Sequence, residues 1–163
     1  MTYPRAVIVT GKNNIKFVGL CLQNQVDFLL IGGAAAFHYG CRADGISEID
    51  LLIEPSAENS ERVMSVLKDA GVGVDFKSTD LQRSKVQVPI KNYEYNLDIL
   101  TPMKEFAYSD LRCRSEFGTL GSYKVRIISR DDLIRLKEYV IQHMESETDK
   151  HRQDVICLKT KGC

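Results

Sequence analysis

The segment SEIDLLI, residues 47–53, has the apolar, β-branched character of a buried strand, yet it carries two acids one residue apart. Residues i and i+2 of a strand project from the same face, so Glu48, Asp50 and Leu52 share one face and Ile49, Leu51 and Ile53 the other. Two carboxylates side by side repel, and burying either one unpaired is costly. Either that face is solvated, or something positive sits between the carboxylates.

Working outward, a second strand-like run has the same feature. YNLDIL, residues 95–100, sets Asp98 among apolar residues on one face with Asn96. If the two strands are neighbours, three carboxylates converge. Hard divalent cations such as Mg²⁺ take oxygen ligands of this kind, and two such ions about 3.5–4 Å apart can clamp the attacking and leaving oxygens of a phosphoryl displacement. Upstream, VDFLLI (residues 26–31) reads as a buried strand ending at Gly32-Gly33, with the Ala-rich AAAFHYG favouring a short helix behind it. Glycine lets a backbone approach phosphate closely and a helix N-terminus offers unpaired N–H groups, although a Gly pair equally serves a plain tight turn. Downstream, Leu133, Leu136, Val140 and Met144 form a helical stripe with Lys137 inside its arc. Its ammonium either snorkels to water or is directed at an anion in a cleft, such as a triphosphate.

The remaining pattern is mixed. A helix is expected over 13–24 and a loop over 41–46. Ser56 reads as the N-cap of a helix reaching about Ala70, stopped by Gly71. Residues 74–76, 85–90 and 93–100 have strand character, the last two joined as a hairpin through Lys91-Asn92, and 123–128 alternates as another strand. Ser129 with Asp132 forms a capping-box-like start for a helix to about residue 144, and a last helix spans 149–159. These elements predict one mixed α/β domain over residues 1–163, with four or five strands flanked by helices.

Composition narrows the function. Twenty-two Lys and Arg balance 22 Asp and Glu, so no overall basic field announces a nucleic-acid partner. No apolar run approaches the roughly 20 residues of a membrane helix, and the N-terminal stretch lacks a cleavage pattern, so neither membrane nor signal peptide is expected. The five cysteines are scattered without a C-x-x-C pair, which indicates neither a disulfide framework nor a zinc site and points to a reducing cytoplasm. VTGKN, residues 9–13, does not meet the G-x-x-x-x-G-K-[ST] pattern and reads as a turn. His38 is expected to be a partly buried packing residue, His143 and His151 lack metal-ligand spacing, and Arg42 either binds phosphate or, the favoured reading, pairs with Asp44.

Taken together, GGAAAFHYGCRADGISEIDLLI (residues 32–53) resembles the signature of the DNA polymerase β-like nucleotidyltransferase superfamily. Closer still is the likeness to small bacterial nucleotidyltransferases grouped with the AbiEii-type toxins, which share an EIDLLI-like strand, an ISRDDLIRLK-like segment and a basic-Gln-Asp stretch (here HRQDVICLK). The resemblance runs from about Ile15 to Leu158. It implies Mg²⁺- or Mn²⁺-dependent transfer of a nucleotidyl group from an NTP to an acceptor hydroxyl, on RNA, protein or a small molecule, with a toxin–antitoxin role among the settings. Glu48, Asp50 and Asp98 would be the catalytic metal ligands, Asp98 also the base, while Gly32, Gly33 and Lys137 would hold the nucleotide. The chain departs from the pattern in carrying Glu48 where Asp is usual, and in a slightly long Gly33-to-Glu48 spacing. The alternative is a nucleotide-binding or protein-interaction module of the same fold without catalysis.

Overall fold

The computed structural model describes residues 6–43, 45–143 and 148–161. In chain order the elements are α1 (Lys12–Gln23), β1 (Phe28–Ile31), α2 (Gly32–His38), β2 (Ile49–Ile53), α3 (Ala57–Asp69), a 3₁₀ turn (Ser78–Gln82), β3 (Gln87–Lys91), β4 (Asn96–Leu100), α4 (Tyr108–Arg114), β5 (Glu116–Leu120), β6 (Tyr123–Ile127), α5 (Arg130–His143) and α6 (Thr148–Lys161). The six strands form one mixed sheet in the order β3-β4-β2-β1-β6-β5. The wholly apolar β1 lies inside it, buried along its whole length, as strands covered on both faces are. β2 runs antiparallel to β1 and parallel to β4, whose register sets Asp50 directly beside Asp98.

Alternation then divides the sheet. Leu97 and Ile99 of β4 join Ile49, Leu51 and Ile53 in the core, while Asp50 and Asp98 point to the other face. On the apolar side α1 packs against α3, with the Phe17 ring edge-on to Tyr95 at 5.6 Å. α5 packs along α6 and reaches the acid face through Lys137. Helix starts follow their caps: Ser56 Oγ accepts from Asn59 N–H at the head of α3, and Ser129 Oγ accepts from Asp132 N–H at the head of α5. Pro89 is tolerated in β3 because that strand is an edge. No helix among the described residues is long and apolar enough to cross a membrane.

Several expectations are corrected. The sheet has six strands rather than four or five. Residues 74–76 are bends leading to the 3₁₀ turn, too short to reach a partner strand. β5 was not expected because Gly118 breaks its apolar pattern; the reason for that glycine is tertiary, since a Cβ there would strike Ile127 and lie 2.8 Å from His38 Nδ1. α4 carries only two buried residues, Tyr108 and Leu111, too few for a legible stripe. The hairpin between β3 and β4 does form, but over residues 92–95, with Asn92 Oδ1 accepting from the N–H groups of Glu94 and Tyr95. Cys41 and Cys157 are disulfide-bonded across 116 residues, whereas the scattered cysteines indicate no disulfide framework in the sequence. A pair so far apart leaves no spacing signal, and the bond removes the cysteine argument for a reducing cytoplasm. The expected end of α5 at Met144 lies outside the described residues, as does Asp44.

Candidate active site

The three acids converge. Glu48, Asp50 and Asp98 each present a carboxylate oxygen, all within 4.8 Å of one another. Glu48 leads into β2, Asp50 is in it, and Asp98 comes from its parallel neighbour β4. The ends of these strands are clipped together by a polar residue of α1. Asn14, 3 % exposed on α1, donates to the carbonyls of Ser47 at 3.2 Å and Asn96 at 3.1 Å and accepts from Asn96 N–H at 3.0 Å. It therefore ties the backbone next to Glu48 to the first residue of β4. Only the neighbouring of two sequence-distant strands gives Asn14 this task, so no local signal could reveal it.

The positive group that SEIDLLI calls for is Lys91. Its Nζ lies 3.2 Å from Glu48 Oε1 and 3.9 Å from Asp98 Oδ2. Gln87, on the same face of β3, brings Nε2 to 3.4 Å from Asp98 Oδ2. Sequence patterning assigned Lys91 to a hairpin turn, because its meeting with Glu48 depends on β3 and β4 pairing.

Crowding sets the protonation. Burial, a hydrogen bond with Glu48 and the charge of Asp50 push the Asp98 carboxyl up to about 7. Asp50 is pushed up to about 6, by burial first and then by the Glu48 charge. Glu48, the carboxylate that Asp98 hydrogen-bonds and Lys91 pairs with, is held below its ordinary value. A cation seated among the three would release the proton that Asp98 retains near neutrality. The donor set suits such an ion: it is all carboxylate oxygen, the choice of Mg²⁺ and Mn²⁺. Asp98 Oδ1 is also buried and, among the described residues, accepts no hydrogen bond from an N–H or hydroxyl group. Glu48, one methylene longer than Asp, still reaches the cluster.

Gly32 and Gly33 open α2 directly above this site, in different ways. Gly32 has a φ of +63° and a Cβ there would overlap the Asp50 carboxylate, so glycine is required for Asp50 to stand where it does. Around Gly33 no atom of the described residues outside its own helix turn lies within 4 Å of a built Cβ, so the space beside it is open.

Lys137 does not snorkel. Its side chain is 5 % exposed and its Nζ is 2.9 Å from Asp154 Oδ2, with His151 Nδ1 at 3.4 Å. Its charge acts on Asp50, and burial lowers its own pKa. Arg42 joins the same network, donating to Asp154 at 2.7 Å; its expected partner Asp44 is outside the described residues. Burial would raise Asp154, but the hydrogen bonds from Arg42 and Lys137 outweigh it and hold the carboxylate low. The disulfide lies next to this network in both chains segments, Cys41 preceding Arg42 and Cys157 one helical turn beyond Asp154. His38 is buried and bonded to Glu116 at 3.0 Å, away from the acids, and Gly11 of VTGKN is simply the N-cap of α1.

The mixed sheet and its flanking helices share the fold of solved nucleotidyltransferase structures. Among solved structures, the chain is similar to the lincosamide antibiotic adenylyltransferase LnuA in its lincomycin-bound form, at 16 % identity and a TM-score of 0.60, over 94 % of this chain and 99 % of that one. It is also similar to an antigenic nucleotidyltransferase-like protein from Paracoccidioides brasiliensis, at 12 % identity and a TM-score of 0.57, over 90 % of this chain and 74 % of that one. No family model and no curated protein sequence matches the chain.

Proposed function

We propose that this protein transfers a nucleotidyl group from an NTP to a hydroxyl of a small molecule and releases pyrophosphate. The observation that carries the reading is the convergence of Glu48, Asp50 and Asp98 beneath the Gly32-Gly33 helix start. The three acids would hold Mg²⁺ or Mn²⁺, which when bound supplies charge neutralisation of the triphosphate and lowers the pKa of the acceptor hydroxyl. Gly33, with open space beside it, offers its backbone to the phosphates. Lys137, whose charge already acts on Asp50, is the cation assigned to them. Asp98 takes the hydroxyl proton as the acceptor oxygen forms its bond to the α-phosphorus and the bond from that phosphorus to the pyrophosphate oxygen breaks.

A small acceptor is favoured over RNA because the charges balance overall. The match over nearly the full length of an antibiotic adenylyltransferase points the same way. The AbiEii-type likeness supports the competing setting, a toxin–antitoxin pair acting on RNA or protein. Incubation with each α-³²P-labelled NTP, Mg²⁺ or Mn²⁺, and separate pools of hydroxylated antibiotics, RNA and protein, beside an Asp50→Ala control, tests this. Label in the small-molecule pool with the wild type alone is expected. Label in the RNA or protein pool transfers the proposal to that acceptor, and Mg-NTP binding without label in any pool supports the non-catalytic module instead.

A further inference from the structure

Lys91 belongs to this site by position, yet neither metal ligation nor proton transfer uses it. Its ammonium lies against Glu48 and Asp98 at 3.2 and 3.9 Å, so it holds the space between two of the three carboxylates. Its side chain is 50 % exposed and stands on the edge strand β3, so its stem is free to swing outward. Lys137 is the contrast. That ammonium is buried and fixed by Asp154, and it cannot leave. Gln87 also reaches Asp98, but it is neutral and a metal would not expel it. Lys150 of α6 adds positive charge toward Glu48 only at longer range.

A divalent cation and an ammonium that crowd the same carboxylates repel each other, because repulsion at a few ångströms scales with the product of the charges. With a metal held by the three acids, Lys91 would be driven off Glu48 and Asp98 toward the solvent side of β3. The displaced ammonium is left without an anion unless one enters with the metal, and a triphosphate is such an anion. We propose that Lys91 is an exchangeable counter-ion: it closes the acid cluster against free cations and, when displaced, pairs with the phosphates of the incoming nucleotide, so that metal and nucleotide load together. This rests on the metal–nucleotide reading given above. Lys91 is a positioning residue, and linkage requires that it raise metal affinity for the nucleotide complex by the same factor as nucleotide affinity for the metal complex.

Calorimetric titration of the full chain tests it, with Mn²⁺ alone, a non-hydrolysable NTP analogue alone, and the analogue at saturating Mn²⁺. The variants are Lys91→Met, Lys91→Arg and Asp50→Asn. Lys91→Met should bind Mn²⁺ alone at least tenfold more tightly than wild type. The factor by which Mn²⁺ improves analogue binding should fall at least fivefold, and Lys91→Arg should restore it. Wild-type Mn²⁺ affinity in Lys91→Met, or an unchanged coupling factor, overturns the inference. If Asp50→Asn abolishes Mn²⁺-dependent analogue binding while Lys91→Met matches wild type, only the counter-ion role fails. If Asp50→Asn leaves that binding intact, or wild type shows none, the metal–nucleotide reading fails with it.

Discussion

Replacing Gly32 with alanine should disrupt this site far more than replacing its neighbour Gly33. At Gly32 the backbone is left-handed, with φ +63°, and a non-glycine residue in that conformation costs about 1–2 kcal/mol. The added Cβ would also overlap the Asp50 carboxylate, which must then move off its place beside Asp98. That repacking adds a penalty of the overpacking kind, about 1–3 kcal/mol. Together these predict a loss of about 2–5 kcal/mol for Gly32→Ala, or roughly 4–20 °C in Tm for a chain of this size. Gly33 has no positive φ and open space around a built Cβ. Gly33→Ala should therefore hold or slightly raise the Tm, by up to about 1 kcal/mol through the unfolded chain, while weakening nucleotide binding by narrowing the phosphate approach. Scanning calorimetry of both variants, paired with Mn²⁺ titration, separates the two effects. Gly32→Ala should bind Mn²⁺ at least tenfold more weakly and Gly33→Ala should bind it as wild type does. Equal melting of the two variants, or wild-type Mn²⁺ affinity in Gly32→Ala, would refute the placement of Asp50 against the helix start.

Three further outcomes follow from the same geometry. Asp50 and Asp98 are raised to about 6 and about 7, so between pH 4 and 7 the folded protein holds protons that the unfolded chain, with Asp near about 3.9, has lost. Their contribution is complete below pH 4, declines as pH rises from 4, and is gone above about 7; in EDTA the Tm should fall between pH 4 and 7, Mg²⁺ should offset the fall at the upper end, and Asp98→Asn should flatten the slope measured by thermal melts. Asn14→Ala removes the partner of part-buried backbone groups at Ser47 and Asn96, a loss of about 1–3 kcal/mol that urea denaturation should show together with weakened Mn²⁺ binding; a loss in stability alone would contradict its role in aligning the acid strands. The Cys41–Cys157 bond closes a loop of 116 residues, for which chain entropy gives up to about 4–5 kcal/mol. Reductant should lower the Tm, and alkylation of denatured, unreduced protein should leave both cysteines unlabelled; labelling of either would contradict the bond.

What could be read before folding was whatever violates a local pattern. Acids inside SEIDLLI and YNLDIL break the apolar strand rule, and a glycine pair at a strand end breaks helix propensity, so Glu48, Asp50, Asp98 and Gly32 stood out in the sequence. The caps at Ser56 and Ser129 were legible for the same local reason. Lys91 and Asn14 violate nothing in their own segments. Their importance arises only when β4 lies beside both β2 and β3, which no window of sequence contains. Lys137 was half legible: its place in an apolar stripe marked it as unusual, but its partner Asp154 lies on a different helix. Gly118 hid β5 because its smallness answers His38 and Ile127, residues from elsewhere in the chain.

The most direct test of the central claim is anomalous diffraction from crystals soaked with Mn²⁺ and a non-hydrolysable NTP analogue, collected at the manganese edge. The account predicts an anomalous peak coordinated by Glu48, Asp50 and Asp98, with the triphosphate over Gly32 and Gly33 and Lys91 turned away from Glu48. An analogue bound elsewhere, or manganese seated away from these three carboxylates, would contradict it.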